Sequence, residues 1–280
     1  MLVAENRKCT VLNGALLCTF GLAVLILSLG ATSSNPEVEE LNVAMFAAID
    51  RIEQHSFDLG KHERIGEFVG VEVWHVQIDY EPYTIDMERT TPEDGPSLFW
   101  QEGKNDGDVV VDPNGFPWIE MDLDPRGKTL NKKAHHNIFS LGLKHFGRIW
   151  RSMCYSNGKL RDEVKVLGEE KLEGKTTWLL SINVPDYSTI SVTIKDEGSL
   201  FEISERYLVP ADKIVLMNPD VDDIFDISEG QEILVPNCYA MSGKLWIDKA
   251  TMLPIQQEVY DEKGLYERYI YLNLKVNNSP

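Results

Sequence analysis

The chain has 280 residues, 43% of them hydrophobic and 26% charged, which is the balance of a folded globular protein and excludes a disordered or collagen-like chain. Its 27 Lys and Arg stand against 45 Asp and Glu, a formal net charge of −18 at pH 7. So acidic a surface offers no cationic footprint for phosphates, which excludes nucleic acid as a partner and leaves hydrogen bonds and apolar stacking for any sugar.

Arg7 and Lys8 precede an apolar run over 14–31 that carries no charge and ends in small residues. That is the layout of an export signal, with Ala31-Thr32-Ser33 or Ser28-Leu29-Gly30 as small-residue cleavage sites. An uncleaved anchor is the alternative, because the run is close to the shortest span of a bilayer; residues 1–33 would then keep the protein in contact with the membrane. Either way the expected location is the periplasm or cell envelope. Cys18 lies inside the apolar run and not after it, which argues against lipidation. Of the remaining cysteines, Cys154 and Cys238 are too few for a disulfide framework; one bridge and two buried thiols both fit.

Over 37–54, Val38, Leu41, Met45, Ala48, Ile49 and Ile52 recur at helical spacing with acids in the first turn, which predicts an amphipathic helix. Alternation of large apolar residues over 72–80 and 82–87 predicts half-buried antiparallel strands. Residues 108–111, the Asp112-Pro113-Asn114-Gly115 turn and residues 116–121 predict a hairpin. Residues 131–150 read as a second helix, with Ala134, Ile138, Leu141 and His145 along one stripe and Gly142 weakening it. Strands are expected again over 164–167 and 176–182, and residues 243–248, 255–261 and 266–272 predict a terminal meander whose last turn is Glu262-Lys263-Gly264.

One stretch interrupts this strand-rich pattern. After a β-rich segment at 188–194, Ser199 can cap a helix carrying Leu200, Ile203 and Tyr207; Val209 and Pro210 break it; residues 211–217 form a second helix and 231–235 a short strand. The order and spacing of Ser199-Leu200, Ile203-Ser204, Arg206-Tyr207, Val209, Ile214, Met217-Asn218-Pro219, Ile227, Gly230-Gln231 and residues 233–236 resemble the lysin-motif (LysM) family. The resemblance implies a βααβ insert at 188–236 that binds N-acetylglucosamine glycans of peptidoglycan or chitin. Its groove would have Gly198, Ser199 and Leu200 facing Asn218, Pro219, Asp220 and Val221. Glu197-Gly198 replaces the family's usual Gly-Asp pair and Leu208 a common glycine, both on the ligand side. Because the first and last strands of such a module pair, its ends lie close together and it can replace a hairpin turn, leaving a discontinuous host at 37–187 and 237–280.

The host resembles a bacterial envelope family, domain of unknown function 1571 (DUF1571), through Lys61-His62-Glu63-Arg64, Gly103-Lys104-Asn105-Asp106-Gly107, Leu245-Trp246-Ile247-Asp248, Leu253-Pro254 and Tyr260-Asp261. The resemblance implies an α+β fold similar to periplasmic lipoprotein carriers: an antiparallel sheet curved into an incomplete β-barrel and covered by about two helices. Trp74, Tyr80, Tyr83, Phe99, Trp100, Trp118 and Trp178 could line its concave face or form an ordinary core.

No catalytic constellation stands out. His135 and His136, on a predicted helix, would point about 100° apart and could not easily share a metal. His62-Glu63 lacks the second histidine of a zinc helix, and Asp220, Asp222, Asp223 and Asp226 lack the glycine and final glutamate of a calcium loop. Nucleophile-elbow, phosphate-loop and dinucleotide patterns are missing too. The expectation is a non-catalytic exported protein, with no metal or cofactor, that binds peptidoglycan through residues 188–236. The alternative is a periplasmic carrier of lipid or another apolar ligand. A cell-wall hydrolase is a third reading, resting only on the common pairing of such modules with hydrolases.

Overall fold

Amphipathic spacing and two acids in the first turn make α1 (Val38–Asp50), which buries Leu41, Met45, Phe46 and Ile49. The computed structural model describes residues 37–65, 68–93, 95–131, 135–195 and 199–277, so the export-signal reading lies outside the described residues. Among these, no helix is long and apolar enough to cross a membrane.

Six strands follow α1: β1 (Gln54–Ile65), β2 (Phe68–Tyr80), β3 (Tyr83–Thr91), β4 (Ser97–Gln101), β5 (Val109–Asp112) and β6 (Met121–Leu123). After α2 (Lys128–Asn131) and α3 (Leu143–Cys154) come the small hairpin β7 (Tyr155–Ser156) and β8 (Lys159–Leu160), then β9 (Lys165–Leu172) and β10 (Lys175–Asn183). The segment β11 (Thr189–Thr193), α4 (Leu200–Tyr207), α5 (Ala211–Met217) and β12 (Glu232–Pro236) precedes the final meander β13 (Ser242–Asp248), β14 (Pro254–Asp261) and β15 (Gly264–Val276).

Among the described residues, eleven strands form one open antiparallel sheet in the order β6-β5-β4-β3-β2-β1-β15-β14-β13-β10-β9. Laid flat, eleven strands at about 4.8 Å spacing would be roughly 48 Å wide, far more than two helices of about 10 Å can cover. Yet one apolar cluster joins Leu98 and Val109 near one edge, Leu180 and Ile182 near the other, and Met45, Ile49, Phe146 and Trp150 of α1 and α3. The sheet therefore wraps around these helices. Cys154 and Cys238 are buried free thiols.

Two elements differ from expectation. The helix predicted over 131–150 does not form as one piece: α3 starts at Leu143, preceded by a short 3-10 turn over Ile138–Ser140 capped by Asn137. Gly142 explains the break. Its φ is +84°, outside the helical region, and a Cβ there would meet Ile78 at 2.7 Å. The buried stripe is accordingly Leu143, Phe146, Ile149, Trp150 and Met153. The predicted hairpin also starts later on its second side: Val111 pairs with Met121 and Val109 with Leu123, so Phe116, Trp118 and Ile119 sit exposed in the intervening loop. Two prolines in that loop, Pro113 and Pro117, lack the amide a ladder needs.

Thr189 to Pro236 runs strand, helix, helix, strand, with β11 and β12 paired antiparallel from Thr189↔Pro236 to Thr193↔Glu232. It has its own core, including Ile194, Leu200, Ile203, Ile214, Ile233 and Val235. Ser199 caps α4 in a capping box with Glu202, and Leu208, at φ 53°, ends it.

Candidate functional site

The β1–β15 register sets Glu63 directly opposite Glu267, both buried, and Glu267 wholly so. Neighbouring like charges in a sheet repel, and a buried carboxylate costs several kcal/mol unless it is paired and hydrogen-bonded. Donors therefore converge on the pair. Tyr239 donates its hydroxyl to Glu267 Oε1 at 2.7 Å and Gln257 its amide at 3.1 Å, while His135 Nδ1 lies 3.1 Å and His136 Nε2 3.6 Å from Oε2. Tyr269 donates to Glu63, and Lys61 Nζ lies 3.2 Å from its other oxygen.

His135 is the hinge of this network. Its Nδ1 faces the Glu267 carboxylate and its Nε2 the Arg64 carbonyl at 3.1 Å, so both ring nitrogens meet acceptors and both must carry protons. Nε2 is also 3.5 Å from Asp212 on α5, whose carboxylate accepts from Tyr266 at 2.8 and 2.9 Å, and the Tyr266 ring stacks on the imidazole with centroids 4.1 Å apart. Burial pulls the His135 pKa down, but the Asp212 charge, the Glu267 hydrogen bond and Glu63 outweigh it and raise it to about 9. Burial likewise opposes ionisation of Glu267, yet its bonds from His135 and His136 hold its carboxyl far below the usual range. Glu63 is lowered too, burial being outweighed by Lys61 and His135. At Asp212 burial wins over the His135 charge, and its pKa is raised.

The same region fastens the βααβ segment to the sheet. Lys213 on α5 lies 3.0 Å from Asp261 and 3.2 Å from Glu262, and Arg64 pairs with Asp261 while donating Nε to the Leu265 carbonyl. Farther out, Arg126 is 3.1 Å from Glu205, and Lys128 pairs with Asp223.

Beside this junction lies a pocket of about 270 Å³ walled by Ile65, Phe201, Val215, Leu216, Ile224 and Phe225, with the Lys128–Asp223 pair also on its lining. Asp212 lines it as well, linking the pocket to the buried network. By contrast, the gap among Leu59, His136, His145 and Tyr271, between sheet and α3, is about 20 Å³, room for about one water. The site can hold an apolar group and offer it carboxylate acceptors, with Asp212 and Asp222 on the lining beside the Lys128–Asp223 pair. Among the described residues, no group of three or more His, Cys, Asp or Glu is arranged to hold a metal ion.

The expected glycan groove looks different in detail. Ser199 is buried with its hydroxyl occupied in the cap, Leu200 and Val221 belong to the core, and Gly198 lies outside the described residues. The Asn218 side chain is engaged with backbone, donating to Ile214 O at 2.7 Å and Leu234 O at 2.8 Å and accepting from Leu234 N at 2.8 Å. Pro219 and Asp220 are exposed. The two loops do meet, through a 2.8 Å bond from Leu200 N to Ile224 O. The aromatic set divides also: Trp178 is buried and Tyr80, Tyr83 and Trp100 pack against the core, while Phe99 and Trp118 are exposed.

Sequence reasoning passed over the network, chiefly because His135 and His136 lie in an irregular turn and not on a helix. A signal existed: Phe57, Leu59, Lys61 and Glu63 alternate, as do Glu267, Tyr269 and Tyr271, which puts both glutamates on inward positions.

Residues 52–214 match the family model described as "Protein of unknown function (DUF1571)", from β1 into α5. No curated protein matches the chain. Similar solved structures include the lipoprotein LppX of Mycobacterium tuberculosis, at 12% identity over 88% of this chain and 100% of that one, TM-score 0.42. LprF of Mycobacterium bovis matches at 10% identity over 87% and 97%, TM-score 0.42. The MucA/MucB complex of Pseudomonas aeruginosa matches at 11% over 87% and 58%, TM-score 0.34.

Proposed function

The chain belongs to the DUF1571 family, and from that premise we propose that it is an exported, non-catalytic binding protein of the cell envelope, whose ligand is an apolar group held where the βααβ segment meets the sheet. The observation that carries this reading is the pocket of about 270 Å³ with walls of Ile65, Phe201, Val215, Leu216, Ile224 and Phe225. Its volume is just below the usual range for small-molecule pockets, which starts near ~300 Å³, and suits one short hydrocarbon chain or ring. Asp212 and Asp222 on the lining suit a ligand that carries a hydroxyl or amine donor beside its apolar part. The apolar run over 14–31 supports the envelope location.

Native mass spectrometry of protein purified from bacteria tests the proposal. A bound apolar molecule is expected on the wild type and is lost in Val215→Trp, where the indole fills the pocket. A clean apo mass for the wild type counts against it.

A second reading, a LysM-type module binding peptidoglycan, is favoured by the strand-helix-helix-strand order of 189–236 and by the Leu200–Ile224 bond that joins its two loops. Sedimentation with insoluble peptidoglycan is then expected to retain the protein, and the exposed Asp220→Lys and Pro219→Ala changes to weaken retention. Asn218→Ala is a poor probe, since it removes three backbone bonds. If the wild type stays in the supernatant, this reading fails.

A further inference from the structure

A second cleft, of about 410 Å³, lies between β3 and β4, the 137–140 turn, α3 and the C-terminal end of α4. Its walls are aromatic and held in place. Trp100 donates its indole N–H to Gly107 O at 2.9 Å, the Tyr83 ring meets it edge-on at 5.4 Å, and Phe139 meets it from the other side at 4.8 Å. Asn137 fixes that last ring by accepting from Phe139 N and Ser140 N at 2.9 and 3.1 Å.

The charges around this cleft run against the character of the chain. Two guanidinium groups line it, Arg126 and Arg148, against one carboxylate, Glu205. Arg126 is paired with Glu205 at 3.1 Å and its guanidinium lies over the Phe139 ring at 5.1 Å. Arg148 is exposed and, among the described residues, has no carboxylate within ion-pair distance; Arg51 and Arg151 share that lack, but of the three only Arg148 lines this cleft. In a chain of net charge −18, an arginine without an acid beside aromatic walls can pair with an anion that the protein does not itself supply. His145 adds a polar group to the wall without adding charge: burial, then the His136 and Arg148 charges, lower its pKa to about 3, so its neutral ring can donate one hydrogen bond.

We propose that this cleft binds a small organic anion, one carboxylate or phosphate carried on an apolar or aromatic body, with Arg148 taking the anion in a forked pair and Tyr83, Trp100 and Phe139 packing on the body. Guanidinium forks bind such groups through two parallel hydrogen bonds, and Arg126 stands nearby as the second cation once Glu205 yields or shares it. The site is separate from the junction pocket, and its test does not depend on what that pocket holds.

Isothermal titration of the full chain decides it. Phenyl phosphate is expected to bind saturably, benzyl alcohol at least about tenfold more weakly, and Arg148→Glu to weaken phenyl phosphate by about tenfold or more while leaving the melting curve unchanged. Arg148→Lys keeps the charge but not the fork and is expected to fall between. Dihexanoyl phosphatidylglycerol binding more tightly than phenyl phosphate identifies an anionic lipid headgroup as the source of the anion; the reverse order identifies a free aromatic or small-molecule anion. Equal binding of phenyl phosphate and benzyl alcohol, an Arg148→Glu variant that binds as the wild type does, or no saturable binding by the wild type overturns the proposal.

Discussion

Glu267→Ala is expected to lower the free energy of unfolding by about 3–5 kcal/mol, read as the shift of the urea midpoint at constant slope. The carboxylate is wholly buried and is the common acceptor for Tyr239, Gln257 and His135. Its removal leaves an imidazolium and two neutral donors without their partner in a place water does not reach, and the cost is that of the stranded groups more than of the lost contact. Tyr239→Phe, which takes away one neutral hydroxyl, is expected to cost only about 1 kcal/mol. Similar losses for the two variants would mean that Glu267 is not the centre of the network.

The second large effect is on the alkaline side of the stability curve. The His135 pKa is raised from 6.5 to about 9, so its contribution is fully present below 6.5 and is lost as the pH climbs through 9. A shift of that size corresponds to on the order of 3 kcal/mol. His135→Gln should lower stability near neutrality and flatten the decline between about pH 6 and about pH 10, measured by urea midpoints across that range. On the acid side the signs are mixed. Glu63 and Glu267 are lowered from 4.5, so their contributions are present above 4.5 and disappear as the pH falls. Asp212 is raised from 3.8, so its protonation favours the folded state and offsets part of that loss. A wild type whose stability does not change on the alkaline side would show that His135 is neutral in the fold.

Much of the sheet is legible in the sequence because one of its faces is apolar and the other wet: Val76, Ile78, Ile85 and Met87 alternate with polar neighbours and are buried. The cap at Ser199 and the break at Val209-Pro210 likewise mark α4 and α5 from local chemistry alone. Strand β1 was hidden. Its inward positions include His55, Lys61 and Glu63, so the period-two signal is written in residues that scan as polar. The network was hidden for a related reason: Glu63, Asp212, His135 and Glu267 come from four separate stretches, and only strand pairing and the seating of α5 bring them together. A helix assumed to run over 131–150 also turned His135 and His136 away from each other, whereas in the irregular turn they occupy both reach one carboxylate.

The way α5 is anchored has a consequence for how the molecule comes apart. A βααβ unit with its own core would ordinarily open as a separate cooperative block, fraying ahead of the sheet that carries it. Here its Asp212 and Lys213 are partners of Tyr266, His135 and Asp261, so lifting the unit away exposes the charges of β1 and β15 at the same moment. The βααβ unit and the centre of the sheet thus share one opening step, and amides in Ala211–Met217 should be as slow to exchange as those of the strands beneath them.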